Sequence, residues 1–255
     1  MNRINQKLQK NKNLLPFYSQ AGFPKKNNTF PSINHKEKNG VDMIEIGLPF
    51  SDPLADGPTI QESSTIAIEN GMTTSLLFEQ LKDIRESVQI PLIIMGYFNP
   101  MMQFGMEKFC QKCAEVGIDG LIIPDLPLFV YETEYKAIFE KYNLKNIFLI
   151  SPQTSVERIQ QIDAISDSFI YMVSSAAVTG SQSGFGSEQM DYFKRIADLS
   201  LKNPQIVGFG IKDEETFQQA TQYQKGAIIG SAFINFLKEN PISEIFKFIK
   251  KITVL

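Results

Sequence analysis

The chain has very little histidine and cysteine: one histidine, His35, and two cysteines among its 255 residues. Ser-His-Asp and Cys-His mechanisms are therefore excluded unless His35 supplies them, and acid–base chemistry must depend mainly on Asp, Glu, Lys, Tyr or Cys. Cys110 and Cys113 have C-x-x-C spacing, but a zinc site would need more ligands nearby. The pair lies inside the helical pattern Met106–Glu115, which predicts two reduced cysteines on a helix.

Long apolar runs and an excess of positive charge are also missing. No apolar run approaches the ~18–20 residues of a transmembrane helix, and the polar, basic start MNRINQKLQKNKN lacks the apolar stretch of a secretory signal. The net charge of −3 provides no basic stripe for nucleic acid, but it does not exclude a local positive pocket for a small anion. We expect a cytoplasmic protein that binds neither membranes nor nucleic acid.

Short apolar runs alternate with helical patterns along the chain, and hydrophobic residues make up 43% of the sequence, enough for a large core. Nearly continuous apolar runs are typical of strands buried on both faces of a parallel sheet. Eight such runs occur: Leu14–Gly22, Asp42–Pro49, Ile90–Tyr97, Gly120–Pro127, Asn146–Ser151, Phe169–Ala176, Ile206–Ile211 and Gly226–Phe233. Helical patterns occupy most of the gaps: Ser75–Val88, Met106–Val116, Glu132–Tyr142, Val156–Ile165, Glu188–Leu201 and Glu214–Tyr223.

Eight strands alternating with helices predict an α/β protein with one domain, residues 1–255, folded as a (β/α)8 TIM barrel. The alternative is a doubly wound open sheet. Residues 1–13 form a polar segment before the first strand, for which we expect a short helix. The first helix of the alternation should lie within Asn27–Asn39, where Pro31 and the scarcity of apolar residues predict a helix that is short, late-starting or poorly packed.

Carboxylates stand at the end of the second run, where a barrel of this kind has its active site. Glu45 lies inside the run Asp42–Pro49, and a carboxylate on either face of a central parallel strand is buried at a cost unless it has a task or a partner. Catalysis and a structural pairing with a buried donor are both open at this point. Asp52 and Asp56 follow on a loop stiffened by prolines, where Asp also caps turns and helices.

Glycines stand at the ends of the last three runs: Val178-Thr179-Gly180 follows the sixth, Gly208-Phe209-Gly210 lies at the end of the seventh, and Gly230-Ser231 lies at the end of the eighth. Glycine lets backbone N–H groups approach an anion closely, and a helix N-terminus adds partial positive charge. The loops after the seventh and eighth strands are the usual phosphate cradle of a TIM barrel, although glycines also serve turns. The residues alone therefore indicate a barrel enzyme with a phosphorylated substrate, carboxylates as acid–base groups and no cluster of metal ligands.

One long segment resembles a known family. The run DMIEIGLPFSDPLADGPTIQ, residues Asp42–Gln61, is similar to the signature of tryptophan synthase alpha subunits. The resemblance extends from Leu14 to about Phe236. It continues, in order and with matching spacing, through Asn99-Pro100, Pro124-Asp125-Leu126-Pro127, the run YMVSSAAVTG at residues 171–180, Gly208-Phe209-Gly210 and Gly230-Ser231.

The resemblance implies a carbon–carbon lyase of L-tryptophan biosynthesis that splits indole-3-glycerol phosphate into indole and glyceraldehyde 3-phosphate by a retro-aldol reaction. The two catalytic carboxylates of the family fall on Glu45 and Asp56. Asp56 would accept or stabilise the proton on the indole nitrogen. Glu45 would deliver a proton to indole C3 and take one from the glycerol hydroxyl, which a buried Glu45 with raised pKa could do near neutral pH.

The same resemblance implies the substrate-binding residues. Those implied for the phosphate are Phe209 and the backbone amides around Gly180, Gly210, Gly230 and Ser231, assisted by the Ser231 hydroxyl. Those implied for the indole ring, with barrel core as their alternative role, are Tyr18, Met95, Ile122, Tyr171 and Ile229. Thr179 would contact Asp56 when a small, polar, glycine-rich lid, Ser181–Ser187, closes and excludes water.

The family works as an α2β2 heterotetramer, in which a beta subunit carries pyridoxal phosphate and receives indole through an internal tunnel. The resemblance therefore implies no cofactor in this chain and an interface with the beta subunit that includes Pro49, Asp52 and the surface near Asn99. The first strand, PFYSQAGFP, departs from the family at Ser19-Gln20. That departure bears on stability more than on the catalytic assignment.

There are two alternative functions, and the second is of a different class. One is another phosphate-binding barrel enzyme, such as an indole-glycerol-phosphate synthase or a phosphoribosyl isomerase, but those barrels lack the PFSDPLADGP loop. The other is a non-catalytic partner that only activates a beta subunit. Glu45, Asp56 and Thr179 argue against a pure activator, because it would not need both carboxylates.

Overall fold

The strands form two parallel ladders. The computed structural model describes residues 1–10, 12–174 and 184–252. Segments β1 to β5 pair in sequence order, and so do β6 to β9, with every pair parallel. Their bounds are β1 (Pro16–Gln20), β2 (Met43–Gly47), β3 (Leu92–Met95), β4 (Gly120–Ile122), β5 (Lys145–Ile147), β6 (Leu149–Ile150), β7 (Ile170–Val173), β8 (Gln205–Gly208) and β9 (Gly226–Ala227).

Two features join the ladders into a closed ring. Phe148 separates β5 from β6, so these two segments are halves of the fifth barrel strand and carry the sheet from one ladder to the other. At the remaining seam, parallel bridges join Leu14 to Gly226 and Phe17 to Ile229. The predicted (β/α)8 barrel is therefore confirmed, and the open doubly wound sheet is wrong.

Helices connect the successive strands on the outside of the ring. None of the helices in the described ranges has both the length and the apolar character that a membrane crossing requires. The helices are α1 (Arg3–Leu8), α2 (Thr29–Lys38), α3 (Pro58–Glu69), α4 (Thr74–Gln80), α5 (Phe98–Phe104), α6 (Met106–Val116), α7 (Leu128–Val130), α8 (Lys136–Lys141), α9 (Val156–Ile165), α10 (Ser187–Asp198), α11 (Glu214–Thr221), α12 (Ser231–Glu239) and α13 (Ile245–Ile252).

The helical patterns of the sequence differ from these bounds in a few places. The pattern Ser75–Val88 is α-helical only as far as Gln80, and a π-helical turn, Tyr131–Tyr135, joins α7 and α8. The patterns do not predict α3 or α5, because α3 buries serines beside Ile60 and α5 buries only Met101. The two cysteines lie on α6, buried and unbonded, as predicted.

Helix α2 is better packed than the sequence predicts. It begins at Thr29, so Pro31 stands in the first turn, where a missing N–H does no harm. Its buried face carries Ile33 and three polar residues. Among them is Lys36, whose Nζ donates to the hydroxyls of Ser19 at 2.9 Å and Ser32 at 2.7 Å. Of the three alternatives that the sequence left open, poor packing is wrong, because hydrogen bonds replace part of the apolar contact. The bounds of α2, Thr29–Lys38, agree with a short helix that starts late.

The strand register brings the inward-pointing side chains together. Tyr18 pairs with Glu45, and Gln20 pairs with Gly47. In-register neighbours in parallel strands point to the same side of the sheet, and residues two apart share that side. Tyr18 and Glu45 line the interior cavity described below. The four residues therefore form one patch on the inside of the barrel.

The N-terminal end of the barrel is closed by α1 and by ion pairs. Ile4 is fully buried under the strands. Asp119, just before β4, accepts from Arg3 at 3.0 Å and Arg85 at 2.6 Å, and Asp42, just before β2, forms ion pairs with lysines of the N-terminal segment. In TIM barrels this end provides stability, and the loops at the C-terminal end of the strands provide function.

Candidate active site

A cavity of about 900 Å³ opens at the C-terminal ends of the strands. Its walls include Tyr18 on β1, Glu45 on β2, Met95 on β3 and Tyr171 on β7. Its rim is formed by the segments that follow β2, β7, β8 and β9, because all strands of a parallel barrel end on the same side. A concave site of this size with several titratable side chains suits a small substrate.

Glu45 lies in the middle of β2 and points into the cavity with 2% of its surface exposed. Its carboxyl oxygen Oε2 has no hydrogen-bond partner among the described residues. Burial, and secondly the charge of Asp56, raises the pKa of Glu45 to about 8. A purely structural carboxylate would have a buried donor at Oε2. Glu45 is instead able to take up or release a proton near neutral pH.

Asp56 is half-buried on the loop after β2, and Tyr97 holds its carboxylate. The Tyr97 hydroxyl donates to Asp56 Oδ2 at 3.0 Å and accepts from the Ala55 N–H at 2.8 Å. Burial raises the pKa of Asp56, and the hydrogen bond from Tyr97 opposes this by favouring the ionised form. The two carboxyl groups of the cavity are therefore held in different environments, an arrangement that assigns different acid–base roles to similar groups.

Local packing keeps the loop after β2 at the cavity. The Phe50 N–H donates to the Ser64 hydroxyl at 2.9 Å, and the Phe50 carbonyl accepts from that hydroxyl at 3.0 Å, which ties the loop to α3. The rings of Phe50 and Tyr97 lie with their centroids 5.2 Å apart. Pro58 begins α3 at a position where proline removes no helical hydrogen bond. The loop that carries Asp56 is thus anchored at both ends.

The ends of β8 and β9 supply a glycine-rich part of the rim. Phe209 and Gly210 both have left-handed backbone conformations, with φ of 70° and 78°. After β9, Gly230 immediately precedes α12, which begins at Ser231. The first N–H groups of a helix have no partners within it, so those of α12 suit an anion. All four residues line the cavity.

No group of three His, Cys, Asp or Glu side chains suited to a metal ion occurs within residues 1–10, 12–174 and 184–252. The cavity therefore combines two carboxyl groups in unlike environments with a glycine-rich rim that includes a helix N-terminus. Such a site can exchange protons with a substrate that is held by a phosphate group.

Comparison with known proteins gives one consistent result. The family model for the tryptophan synthase alpha chain matches residues 4–254. The tryptophan synthase alpha chain of Flavobacterium johnsoniae is 69% identical over 252 residues, which cover 99% of this chain and 100% of the relative. The chain belongs to the tryptophan synthase alpha chain family.

Solved structures support the same tryptophan synthase alpha chain family. Tryptophan synthase subunit alpha from Legionella pneumophila has a TM-score of 0.88 at 30% identity, covering 99% of this chain and 97% of the other. A chain in a tryptophan synthase complex from Pyrococcus furiosus has a TM-score of 0.84 at 30% identity, covering 95% of this chain and 98% of the other.

The residues that the resemblance to tryptophan synthase alpha subunits implied for substrate lie mostly in one cavity. It is lined by Tyr18, Glu45, Asp56, Met95, Tyr171, Phe209, Gly210, Gly230 and Ser231. Ile122, which pairs with Met95 in the register, is fully buried and does not line the cavity, and Ile228 lines it instead of Ile229. Thr179, Gly180 and lid residues 181–183 lie outside the described residues, and the remaining lid residues, 184–187, line the cavity.

Sequence reasoning missed several residues of this tryptophan synthase alpha chain site. Tyr97, which orients Asp56, ends the third apolar run, so its place at the end of a strand was the available indication. Phe185 lines the rim and packs against Phe193 with ring centroids 5.1 Å apart. It was read only as part of the lid, because a side chain's packing partners do not appear in the sequence.

The residues that the family resemblance implied for the partner interface are on the surface at this end of the barrel. Asp52 and Asn99 are exposed, and Pro49 is half-buried. Large exposed apolar side chains accompany them in the segments after β2, β3 and β4: Leu54, Met102 and Phe129, with 91%, 46% and 73% of their surfaces exposed.

Proposed function

We propose that this chain cleaves indole-3-glycerol phosphate into indole and glyceraldehyde 3-phosphate. The observation that carries the proposal is the cavity itself, in which Glu45 and Asp56 face a common space with the glycine-rich ends of β8 and β9. Family membership supports the same reaction. A site with two carboxyl groups and an anion-binding rim suits a substrate with an indole ring at one end and a phosphate at the other.

Glu45 acts first as a general acid and then as a general base. Because its pKa is raised to about 8, it is mostly protonated at neutral pH and can deliver its proton to indole C3. The resulting carboxylate then removes the proton from the glycerol hydroxyl next to the ring. The bond between that carbon and indole C3 breaks, the hydroxyl carbon becomes the aldehyde, and the bonding electrons return to the ring.

Asp56 acts at the indole nitrogen. Protonation of C3 draws electrons from the indole nitrogen, and its N–H proton becomes acidic. An ionised Asp56, favoured by the hydrogen bond from Tyr97, accepts or stabilises that proton and returns it when the aromatic ring is restored. Each such acid–base step is typically worth ~10²–10⁴-fold in rate.

The phosphate is held by backbone N–H groups around Gly210, Gly230 and Ser231, with the Ser231 hydroxyl as a further donor. The left-handed conformation of Gly210 and the position of Gly230 and Ser231 at the N-terminus of α12 support this assignment. Tyr18, Met95 and Tyr171 line the space left for the indole ring. Thr179 and Gly180 complete the proposed set by resemblance alone.

The proposal includes a partner. The Pyrococcus furiosus relative comes from a tryptophan synthase complex. We propose that this chain joins a beta subunit in an α2β2 complex through the surface around Pro49, Asp52 and Asn99, which also exposes Leu54, Met102 and Phe129. Pyridoxal phosphate belongs to the beta subunit, and the complex works in the cytoplasm.

An indole-release assay tests the proposal. The purified chain should convert indole-3-glycerol phosphate slowly alone and faster with a beta subunit. Glu45→Gln and Asp56→Asn should each lower kcat at least ~100-fold with the fold intact, as judged by circular dichroism. Near-normal rates in either variant would contradict the assigned roles. A chain that released no indole but still accelerated the beta reaction would be the non-catalytic activator.

A further inference from the structure

Gln20, at the C-terminal end of β1, is a buried polar side chain that makes two hydrogen bonds. Its Oε1 accepts from the Tyr18 hydroxyl at 2.6 Å, and its Nε2 donates to the Gly47 carbonyl at 3.1 Å. Only 3% of its surface is exposed. Glutamine is suited to both tasks at once, because one amide group carries an acceptor and a donor.

The orientation of the amide follows from its partners. The Gly47 carbonyl can only accept, so the NH2 group of Gln20 must face it and the oxygen must face Tyr18. The phenol has a single proton, and that proton is used in the bond to Gln20 Oε1. The phenol oxygen can therefore accept further hydrogen bonds, but it has no proton left to donate.

The phenol oxygen lies on the side of β2 that carries Glu45. A Cβ added to Gly47 would lie 1.9 Å from the Tyr18 hydroxyl oxygen, so this oxygen occupies the space over Gly47. Gly47 is two residues after Glu45 on the same face of the strand. Tyr18 and Glu45 are also register partners, and both line the cavity with Asp56.

We propose that Gln20 is a positioning residue that turns the Tyr18 hydroxyl proton away from Glu45 and Asp56, so that the phenol oxygen offers only acceptor capacity to the carboxyl groups. This inference rests on the proposed function of Glu45 as the acid that protonates the indole ring. A phenol proton that pointed at a carboxyl group would stabilise its ionised form, and the bond to Gln20 directs that proton elsewhere. Gln20 therefore helps to keep Glu45 in its acid form.

The surroundings of Glu45 are consistent with this role. The groups whose charges interact with Glu45 or Tyr18 are Asp56, Tyr97 and Tyr171, and two further charged residues, Glu188 and Lys212, line the cavity. Burial and Asp56 raise the pKa of Glu45 to about 8, and its Oε2 has no hydrogen-bond partner among the described residues. A phenol proton turned towards Glu45 would oppose this effect.

The test is the pH dependence of indole release for the wild type, Gln20→Leu, Tyr18→Phe and the double variant. In Gln20→Leu the phenol proton is released to turn towards the carboxyl groups and stabilise the ionised form. The alkaline limb of kcat/KM should then move about one pH unit lower. In the Tyr18→Phe background the same change at Gln20 should cause no further shift, because no phenol proton is left to turn.

The matched control is Ser19→Ala. Ser19 is the neighbouring residue of β1, and its hydroxyl bonds Lys36 of α2 on the outer side of the strand. This change should lower stability and leave the alkaline limb unmoved. If Gln20→Leu does not fold, Gln20→Met, which keeps the length of the side chain, replaces it. A loss of rate without a shift of the limb, or an equal shift in the Tyr18→Phe background, would overturn the positioning role.

A second measurement separates this inference from the proposed function. The Glu45 carboxyl group can be titrated by ¹³C NMR, with Glu45→Gln assigning the resonance, and no turnover is required. Gln20→Leu should move that titration about one pH unit lower. An unchanged titration would refute the role of Gln20 even if indole is released, and a shifted titration in a chain without turnover would refute only the proposed reaction.

Discussion

At the scale of single residues, the cavity contains two carboxyl groups with different surroundings. Glu45 is almost fully buried, and its Oε2 has no hydrogen-bond partner among the described residues, whereas Asp56 is half-buried and accepts from Tyr97. Burial and the charge of Asp56 therefore keep Glu45 protonated at neutral pH, where it has a proton to deliver, and the Tyr97 hydrogen bond favours the ionised form of Asp56. The division of labour between them follows from where the chain places each group, because their intrinsic acidities are nearly equal.

Tyr97→Phe tests how Asp56 is held. The change leaves both the Ala55 N–H and Asp56 Oδ2 without their partner, so we expect kcat/KM to fall ~10–100-fold. Loss of a hydrogen bond to the ionised form also raises the pKa of Asp56, so the acid limb of the pH profile should move to higher pH.

Tyr142→Phe is the control for Tyr97→Phe, since the Tyr142 hydroxyl donates to Glu107 on the surface. It should leave the pH profile as in the wild type. An unchanged acid limb in Tyr97→Phe would show that the hydrogen bond does not set the ionisation of Asp56.

The sequence was sufficient to propose Glu45 and Asp56 as the residues that carry the chemistry, and it was insufficient for the residues that contact and orient them. Glu45 and Asp56 stand in a motif specific enough to identify them. Tyr97 contacts Asp56, which is 41 positions away, and the Gln20 amide is oriented by Gly47, which is 27 positions away. Such contacts depend on the barrel register, which no local pattern of the sequence encodes.

At the scale of elements, the end of β8 provides a test of the proposed anion site on the glycine-rich rim. Gly210 has a φ of 78°, and a Cβ there would lie 2.9 Å from the Phe185 ring. Gly210→Ala should therefore weaken binding of inorganic phosphate at least ~10-fold, since backbone strain of about 1–3 kcal/mol would displace the amide. Phosphate titrations followed by NMR measure the effect.

Gly40→Ala is the control that separates the effect of backbone strain from an effect on the anion site. Gly40 has a similar φ of 87°, but a Cβ there meets nothing within 4 Å. It should lower stability in the same way and leave phosphate affinity unchanged. Equal phosphate affinity in both variants would argue against an anion site at Gly210.

Helix α2 provides a test of how the free energy of unfolding depends on pH. Lys36 is fully buried, with the Phe233 ring centroid 4.3 Å from its Nζ and two serine hydroxyls as acceptors. Burial holds the pKa of Lys36 well below its usual value. At a pH between the folded and the unfolded pKa, the unfolded chain therefore binds a proton at Lys36 that the folded chain does not. Stability should therefore rise as the pH rises from the folded pKa towards about 10.4, the unfolded value.

Lys36→Met should abolish this contribution. Subtracting the free energy of unfolding of Lys36→Met from that of the wild type cancels other titrating groups, and the difference should increase with pH. Lys38→Met, at an exposed position of the same helix, should leave the dependence as in the wild type. A flat difference for Lys36→Met would mean that the buried lysine keeps its proton.

The same helix shows where element prediction fails. The interval Asn27–Asn39 contains Pro31 and few apolar residues, so poor packing was one of the alternatives that the sequence predicted. The buried face is instead completed by Thr29, Ser32 and Lys36. Polar residues can pack against a barrel when hydrogen bonds satisfy them, but their partners, such as Ser19 on β1, are known only once the fold is known.

At the scale of the whole molecule, the two ends of the barrel have different tasks. Asp42 and Asp119 form ion pairs at the end covered by α1, and the cavity opens at the other end. Alternation of eight apolar runs was enough to predict this architecture, because buried parallel strands have a distinctive composition. The division of the fifth strand at Phe148 was not predicted, because the apolar run continues through it.

The surface around the cavity leads to a prediction about assembly. Phe129, on α7, is 73% exposed, although an aromatic side chain of this size favours burial. Phe129→Asp should leave indole release by the chain alone near the wild-type rate and weaken activation by a beta subunit at least ~10-fold, since aromatic contacts often dominate an interface. Titration of the beta subunit in the indole-release assay measures this.

Val156→Asp is the matched control for Phe129→Asp. Val156 is also exposed, at the start of α9, where an acidic residue favours the helix. It should leave activation unchanged. Full activation of the Phe129→Asp chain would place the partner surface elsewhere on the barrel.

The most direct measurement is a crystal structure with a non-cleavable analogue, an indole that carries a phosphorylated propyl chain at C3. We expect the indole nitrogen within hydrogen-bond distance of Asp56, ring carbon C3 next to Glu45, and the phosphate on the amides of Gly210, Gly230 and Ser231. Ligand density outside the cavity, or a ring with its nitrogen turned away from Asp56, would contradict the proposed chemistry.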